Sequence, residues 1–264
     1  MSSLFSLHGR RALVTGANTG IGRAIALGLA GQGADLVLHH LGDAEGAAGI
    51  REAVGSMGRN ASVIEADFSH TTAVEGLARD ALREGPVDIL IANAAIEMRS
   101  VWTEATSDLL ETHFAVNFTS LILLMQALVP PMVERRWGRV VATGSVMAAR
   151  PRAETVAYAS LKSAQFTAVR AIAREVAASG VTMNVIAPGA IETEANAARY
   201  EDWKFRQAVV AKIPAGRQGR PDDCVGPVLM LCSDAGAYIT GATIPVDGGW
   251  TISDATGALP EVTP

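Results

Sequence analysis

Short apolar runs alternate with segments of helical period from one end of this chain to the other. Arg11 to Thr15 leads to Ile21–Leu29, Asp35 to His39 leads to Ala44–Gly58, and Ala61 to Ala66 leads to Thr72–Glu84. Asp88 to Ala92, Arg139 to Thr143 and Val181 to Ala187 continue the series. A strand that is apolar on both faces must be covered on both, and helices inserted between successive strands supply that cover. The pattern therefore predicts an α/β fold, a single doubly wound domain whose parallel sheet carries helices on both faces. No repeat or linker divides residues 1–264.

The first run ends in Thr15-Gly16-Ala17-Asn18-Thr19-Gly20-Ile21-Gly22. Strand, glycine turn and helix in that order open a nucleotide-binding unit. Gly16 permits the tight turn, Gly20 lets the backbone approach a pyrophosphate, and Gly22 allows close helix packing. The helix N-terminus then offers unpaired N–H groups to the anion. Near the end of the second strand, an acid would accept from an adenosine ribose hydroxyl, whereas a basic residue would hold a 2′-phosphate. His40 takes that place, followed by Leu41 and Gly42, and Thr19 is not basic. A phosphate without a cationic partner is costly, so the reading favours NAD over NADP. His39 and His40 are not expected to hold a metal, because adjacent strand residues point to opposite faces.

Composition narrows the class. With 49% hydrophobic and 19% charged residues the chain reads as a soluble globular protein. A net charge of −5 gives no reason to expect nucleic acid or an anionic membrane as partner. The longest apolar run, Leu121 to Val133, is too short to span a bilayer and contains Gln126, Pro130 and Pro131. No basic segment leads into an apolar core at the start, so no secretory signal is evident. Cys224 and Cys232 are expected as buried free thiols in a reducing cytoplasm.

Residues able to do chemistry follow the C-terminal ends of strands, the edge where ligands sit in open α/β sheets. Asp67-Phe68 follows the third strand, Asn93-Ala94-Ala95 the fourth, Gly144-Ser145 the fifth and Pro188-Gly189 the sixth. Asn117, between Val116 and Phe118, is an amide in an apolar setting and needs partners. It either ties off a helix irregularity or serves as a relay. Tyr158 and Lys162 lie four residues apart and share one helix face. A phenol of pKa about 10 is a poor acid-base catalyst at neutral pH. An ammonium one turn away would favour the phenolate.

In this order, Thr-Gly-x-x-x-Gly-Ile-Gly (15–22), Asp67, Asn93-Ala94, Asn117, Ser145, Tyr158-x-x-x-Lys162, Pro188-Gly189 and Val246-Asp247-Gly248-Gly249 resemble the short-chain dehydrogenase/reductase family. The match is to its branch of roughly 250 residues. It runs from Leu7 to about Trp250, with one departure, since Ala92-Asn93-Ala94-Ala95 replaces the family's Asn-Asn-Ala-Gly. The Asn usually nearest the cofactor is kept. The resemblance implies a Rossmann-type fold and an NAD(P)-dependent exchange of a secondary alcohol and a ketone. It implies Tyr158 as the general acid in reduction and base in oxidation, and Ser145 as the partner of the substrate oxygen. Lys162 would bind the nicotinamide ribose and lower the Tyr158 pKa, and Asn117 would hold water in a proton relay. Hydride would pass directly between the nicotinamide and the substrate carbon. Asp67 is implied at the adenine, and Pro188, Ile191 and Thr193 around the nicotinamide. The implied cofactor set is Gly16, Asn18, Thr19, Gly20, Ile21, Gly22, His40, Asp67, Phe68, Asn93, Ala94, Ala95, Tyr158, Lys162, Pro188, Gly189, Ile191 and Thr193.

The segment at about 193–214 is helical and amphipathic, and in the family it covers the substrate, often as a lid. Trp203, Tyr200 and Phe205 either line the pocket or form the lid's own core. Met147, Arg150 and Arg152 follow Ser145, and Glu97, Met98 and Arg99 follow Asn93. An arginine among these is a candidate partner for a substrate carboxylate. Substrate candidates are thus Ser145, Met147, Arg150, Arg152, Tyr158 and Trp203. Oxoacyl reductases of the family carry basic residues toward their acyl carrier, and here the matching places hold Pro130 and Ser179. The runs Ile213–Arg217 and Val246–Trp250 resemble sugar-acid and deoxygluconate dehydrogenases. The expected substrate is a secondary alcohol in a sugar, sugar acid or polyol, with 3-oxoacyl thioester reduction by NADPH as the alternative. A non-catalytic dinucleotide-binding regulator would typically lack Tyr158 or Lys162. The family further implies a homotetramer through the long helices at 107–135 and 155–179 and the strand near Ile244. The tail at 254–264 is expected to be mobile.

Overall fold

In the computed structural model, which describes residues 4–253, seven strands form one parallel sheet in the order β3-β2-β1-β4-β5-β6-β7. The strands are β1 (Arg11–Val14), β2 (Asp35–His40), β3 (Ala61–Glu65), β4 (Ile89–Ala92), β5 (Gly138–Thr143), β6 (Val181–Pro188) and β7 (Thr243–Val246). Between them run α1 (Gly20–Gly31), α2 (Ala44–Ser56), α3 (Thr71–Arg83), α4 (Ser107–Phe114), α5 (Ser120–Glu134), α6 (Val156–Val176), α7 (Ala197–Glu201), α8 (Trp203–Val210) and α9 (Val225–Cys232). The expected mobile tail at 254–264 lies outside the described residues.

The period-2 alternation of the strands sorts their apolar side chains into two cores. Leu13, Val37, Leu90, Val140 and Val185 pack with Leu77 of α3, Leu124 and Leu128 of α5 and Val169 of α6. Their neighbours Val14, Leu38, Ile91, Val141 and Ile186 pack on the other face with Ile25 and Leu29 of α1, Ile50 and Val54 of α2 and Val228 of α9. The inner strands β2, β1, β4, β5 and β6 are buried on both sides, which is why their sequence reads as apolar runs, whereas the edge strands β3 and β7 are only partly covered.

From β1 the chain winds outward through β2 to β3, then returns to place β4 on the other side of β1. The direction of winding reverses there, and a crevice opens beyond the carboxyl ends of β1 and β4. Its two lips are stitched together. Thr15 Oγ1 accepts from Asn93 N and Ala94 N, both at 2.9 Å, and Asn93 Nδ2 donates to the Thr15 and Gly16 carbonyls at 3.0 and 3.1 Å.

Two elements differ from the sequence reading. The apolar run at 121–133, read as too short to span a bilayer, belongs to one continuous helix, Ser107–Glu134, interrupted only by a π-turn at Ala115–Thr119. By length and composition alone this helix is long and apolar enough to cross a membrane. Half of its most apolar window is buried inside the domain, where Leu121, Leu124, Leu128 and Met132 belong to the sheet core. The segment at 193–214 is helical, as expected, but split into α7 and α8. Cys224 and Cys232 are free and buried.

Candidate active site

A cavity of about 680 Å³ lies at the carboxyl ends of the strands. Its floor begins at the glycine turn. Gly16 and Gly20 hold φ of +62° and +52°, left-handed values that a side chain would strain. A Cβ on Gly22 would collide with the Gly16 carbonyl and lie 2.6 Å from Asn93 Nδ2. Gly22 therefore acts in packing and does not line the cavity, whereas Gly16, Asn18, Thr19, Gly20 and Ile21 do. Thr19 gives α1 no side-chain cap. The Gly20 N–H instead donates to a carboxylate oxygen of Glu194 at 3.1 Å. An anion thus already occupies the helix N-terminus, and the residues fit a dinucleotide pyrophosphate.

The adenosine end departs from expectation at β2. His40 is buried and does not line the cavity; His39 and Leu41, one residue to either side, do. Alternation along the strand is the reason, since it sends His40 to the opposite face. The His39 ring is a strut. Its Nδ1 accepts from Gly16 N at 3.1 Å, its Nε2 donates to the Ala66 carbonyl at 2.9 Å, and it stacks on Phe68 at 4.2 Å. Burial pushes its pKa down to about 4, against the opposing pull of the Ala66 bond. A neutral imidazole is what both hydrogen bonds require. Asp67 lines the same wall, and its carboxylate accepts from the Ser69 N–H and hydroxyl, which hold its pKa below the usual range.

At the far end, Ser145, Tyr158 and Lys162 converge with Pro188, Gly189, Ile191 and Thr193. Ser145 leaves the end of β5 in extended conformation, and its hydroxyl accepts from Met147 N at 3.1 Å. Tyr158 and Lys162 project from one face of α6, with Lys162 Nζ 5.4 Å from the phenol ring centre. Lys162 is 1% exposed, and its Nζ donates to the Thr143 carbonyl at 2.7 Å. Burial brings its pKa down to about 7.

The phenol moves opposite to the expectation from spacing. Burial first, then the Glu97 charge, push the Tyr158 pKa up to about 12, while the Ser145 hydroxyl and the Arg152 charge pull it back. The Lys162 ammonium, 5.4 Å from the ring centre, spends a bond on the Thr143 carbonyl. The phenol is therefore protonated at neutral pH in this state.

Asn117 sits in the π-turn and does not line the cavity. Its Oδ1 accepts from Ile96 N and its Nδ2 donates to the Ile96 carbonyl, both at 2.9 Å. Its backbone carbonyl accepts from Gln165. Its side chain thus ties off the helix irregularity, one of the two readings of the sequence.

The cavity mouth holds charges that the sequence brought together only in part. Glu97 lines the cavity and accepts from Arg99 at 3.0 Å and Arg152 at 2.7 Å. Arg199, on α7, is held below its usual pKa by burial and then by the nearby charges of Arg99 and Arg152. Arg150 points elsewhere, donating to the Trp250 and Ser253 carbonyls and tying down the C-terminal strap. Met147 lines the cavity. Trp203 is 61% exposed and does not, while Tyr200 is buried and packs on Phe205 as the lid's own core.

Comparison with known proteins agrees with this geometry. The family model described as Enoyl-(Acyl carrier protein) reductase matches residues 16–251. The 2-dehydro-3-deoxy-D-gluconate 5-dehydrogenase of Pseudoalteromonas atlantica is 38% identical over 251 residues, covering 95% of this chain and 99% of its own. The solved 3-oxoacyl (acyl-carrier-protein) reductase of Agrobacterium tumefaciens C58 with NADP bound superposes with a TM-score of 0.90 at 38% identity, covering 94% and 96% of the two chains. The gluconate 5-dehydrogenase of Burkholderia cenocepacia, in complex with NADP and tartrate, gives 0.88 at 32% identity, covering 95% and 98%. The glycine turn, the stitched crevice and the Ser145–Tyr158–Lys162 group thus belong to an NAD(P)-dependent oxidoreductase of alcohols and ketones, and the chain is a member of the short-chain dehydrogenase/reductase family.

Proposed function

We propose that this enzyme oxidises a secondary alcohol of a sugar acid, or reduces the corresponding ketone, with NAD as the preferred cofactor. The observation that carries the substrate class is the charge at the cavity mouth. Arg99 and Arg152 donate to the Glu97 carboxylate beside Tyr158, and Arg199 lies close enough to feel the charges of all three. A carboxylate substrate would complete that balance, and planar guanidinium groups bind carboxylates with two parallel hydrogen bonds. The relatives named for deoxygluconate and gluconate, one of them holding tartrate, lend support. At the places where the family's oxoacyl reductases carry basic residues, Pro130 and Ser179 offer no charge to an acidic acyl carrier.

Bound in the crevice, the nicotinamide supplies or accepts the hydride. The chain's own part is positioning and proton transfer. Ser145 donates to the substrate oxygen, and Tyr158 gives it a proton in reduction or takes one in oxidation. Lys162 supplies a buried donor beside them. Among the described residues, the adenosine wall of the cavity formed by His39, Leu41, Asp67, Phe68 and Ser69 includes no lysine or arginine, and His39 is neutral. A 2′-phosphate would find no cation there, which favours NAD, although the solved relatives hold NADP. We infer that the enzyme works in the cytoplasm as a homotetramer built on the long helices at 107–135 and 155–179 and the strand near Ile244. The exposed Leu110 and Phe114 suit such an interface, and light scattering at micromolar concentration checks it.

The test is absorbance at 340 nm with NAD and NADP against sugar acids, neutral sugars, polyols and simple alcohols, with 3-oxoacyl thioesters in the reverse direction. Turnover of a sugar acid with NAD is expected. A preference for the thioester with NADPH would overturn the substrate class and the cofactor reading together.

A further inference from the structure

Glu194 occupies the place of a ligand. Its Oε2 accepts from Gly20 N at 3.1 Å, at the first residue of a helix of 12 residues that has no other side-chain cap. The preceding residue packs on the same glycine, where a Cβ on Gly20 would meet Thr193 Cγ2 at 3.1 Å. Gly20 and Thr193 both line the cofactor cavity. Arg23 lies 3.9 Å from the other carboxylate oxygen, but both side chains are more than half exposed, so the pair contributes little. What holds Glu194 is the positive end of the helix. A dinucleotide pyrophosphate needs the same N–H groups and carries negative charge of its own. The two anions exclude one another.

We propose that Glu194 is an internal competitor for the pyrophosphate seat, displaced by the cofactor, and that its displacement releases the lid. The mechanical link is local. Asn196 accepts from Thr193 N and donates to the Ile191 carbonyl, both at 2.9 Å, which makes a rigid turn around Glu194. Glu192 takes two bonds from Arg206 of α8, at 2.8 and 2.9 Å, and Arg206 also reaches Gln218 and the Tyr200 carbonyl. Residues 191–206 therefore form one hydrogen-bonded body, and the Glu194–Gly20 contact ties it to α1. Arg199, whose guanidinium lies over Phe205 and near the charges of Arg152 and Glu97, rides on that body, so phosphate binding at one end of the crevice shifts a charge beside the cavity mouth at the other. The inference rests on the family's dinucleotide cofactor and is independent of the substrate.

The experiment compares the full chain with Glu194→Gln and Glu194→Ala. Dissociation constants for NADH and NADPH are read by fluorescence at low salt, and ADP and adenosine by competition. Both variants should bind the dinucleotides and ADP about three- to tenfold more tightly, with the larger gain for Ala. Adenosine carries no phosphate, so its affinity should not change. In the nucleotide-free state, tryptic cleavage after Arg199 or Lys204 should be several-fold faster in the variants, since the tie to α1 is gone. Weaker or unchanged dinucleotide binding would overturn the proposal, and so would equal tightening of adenosine. A wild-type chain that binds no nicotinamide dinucleotide would overturn the cofactor assignment as well.

Discussion

Lys162 is an ammonium in a place that suits a methionine. It is 1% exposed, donates to one backbone carbonyl, and has a pKa brought down from 10.5 to about 7 by burial alone. At 1.36 kcal/mol per pKa unit, that difference makes folding with this side chain cost about 4 kcal/mol at pH 7. Lys162→Met removes the cost and keeps most of the apolar stem, but leaves the Thr143 carbonyl without its donor, a loss of about 2 kcal/mol. The variant should therefore be more stable at pH 7 by about 2 kcal/mol, or about 5 °C in Tm. The sign of the pH dependence follows from the same values. The folded-state pKa lies below the unfolded one, so between pH 7 and 10.5 the unfolded chain binds more protons. Wild-type stability then rises with pH through that window. The advantage of Met should be full below pH 7 and shrink as pH climbs toward 10. Urea unfolding followed by circular dichroism at pH 6.5, 8 and 9.5, without nucleotide, measures it. A Met variant less stable than wild type at pH 7, or two curves that stay parallel across pH, would refute the reasoning. Turnover should be lost throughout, which would make Lys162 a residue kept for function against stability.

Tyr158→Phe should lower turnover about a thousandfold while NADH affinity changes little, because only the proton-transferring hydroxyl is lost. Steady-state rates and a fluorescence titration on the same preparation check both halves. With the phenol pushed up to about 12, wild-type alcohol oxidation should rise with pH to at least 9 while ketone reduction, which uses the protonated form, stays level over the same range. Leu41→Arg should move the NADP/NAD ratio of kcat/KM toward NADP by about tenfold. Leu41 lines the cavity and is 55% exposed, whereas a charge placed at His40 would be buried on the wrong face.

What was legible in the sequence was whatever depends on order and period. Alternating apolar runs fixed the parallel sheet, since only a strand covered on both faces is apolar throughout. The glycine turn located the anion seat because left-handed backbone at Gly16 and Gly20 needs glycine. The Tyr158–Lys162 spacing put both side chains on one face of α6. Spacing did not reveal where the lysine head goes; its long stem carries it to the Thr143 carbonyl. The His40 error has the same root. Alternation settles that two neighbours face apart, but not which of them faces the ligand. Arg150 and Arg152 sit in a loop with no period, so only the fold could send one to Trp250 and the other to Glu97. Glu194 and Arg199 carried no motif, and their neighbours Gly20, Arg99 and Arg152 are distant in the chain.

The places where local rules fail are also the places where this enzyme acts. A regular helix through 107–134 would keep every carbonyl for an i+4 donor. The π-turn at Ala115–Thr119 breaks that ladder, leaving the Asn117 carbonyl to Gln165 of α6 and its amide to Ile96. Such bulges tend to mark functional sites because the extra residue re-aims side chains without ending the helix. Here it joins three elements that bear on the catalytic group: the loop after β4, which carries Glu97, the long helix, and α6, which carries Tyr158 and Lys162. Burial raises the phenol pKa first and the Glu97 charge adds to it, and Glu97 also anchors Arg152, so the position of that loop bears on both proton affinity and mouth charge. Asn117 thus fastens the loop that carries Glu97 to the long helix through its two bonds to Ile96. Its amide is a clamp whose loss would loosen the charge balance around Tyr158 before it touched the cofactor seat.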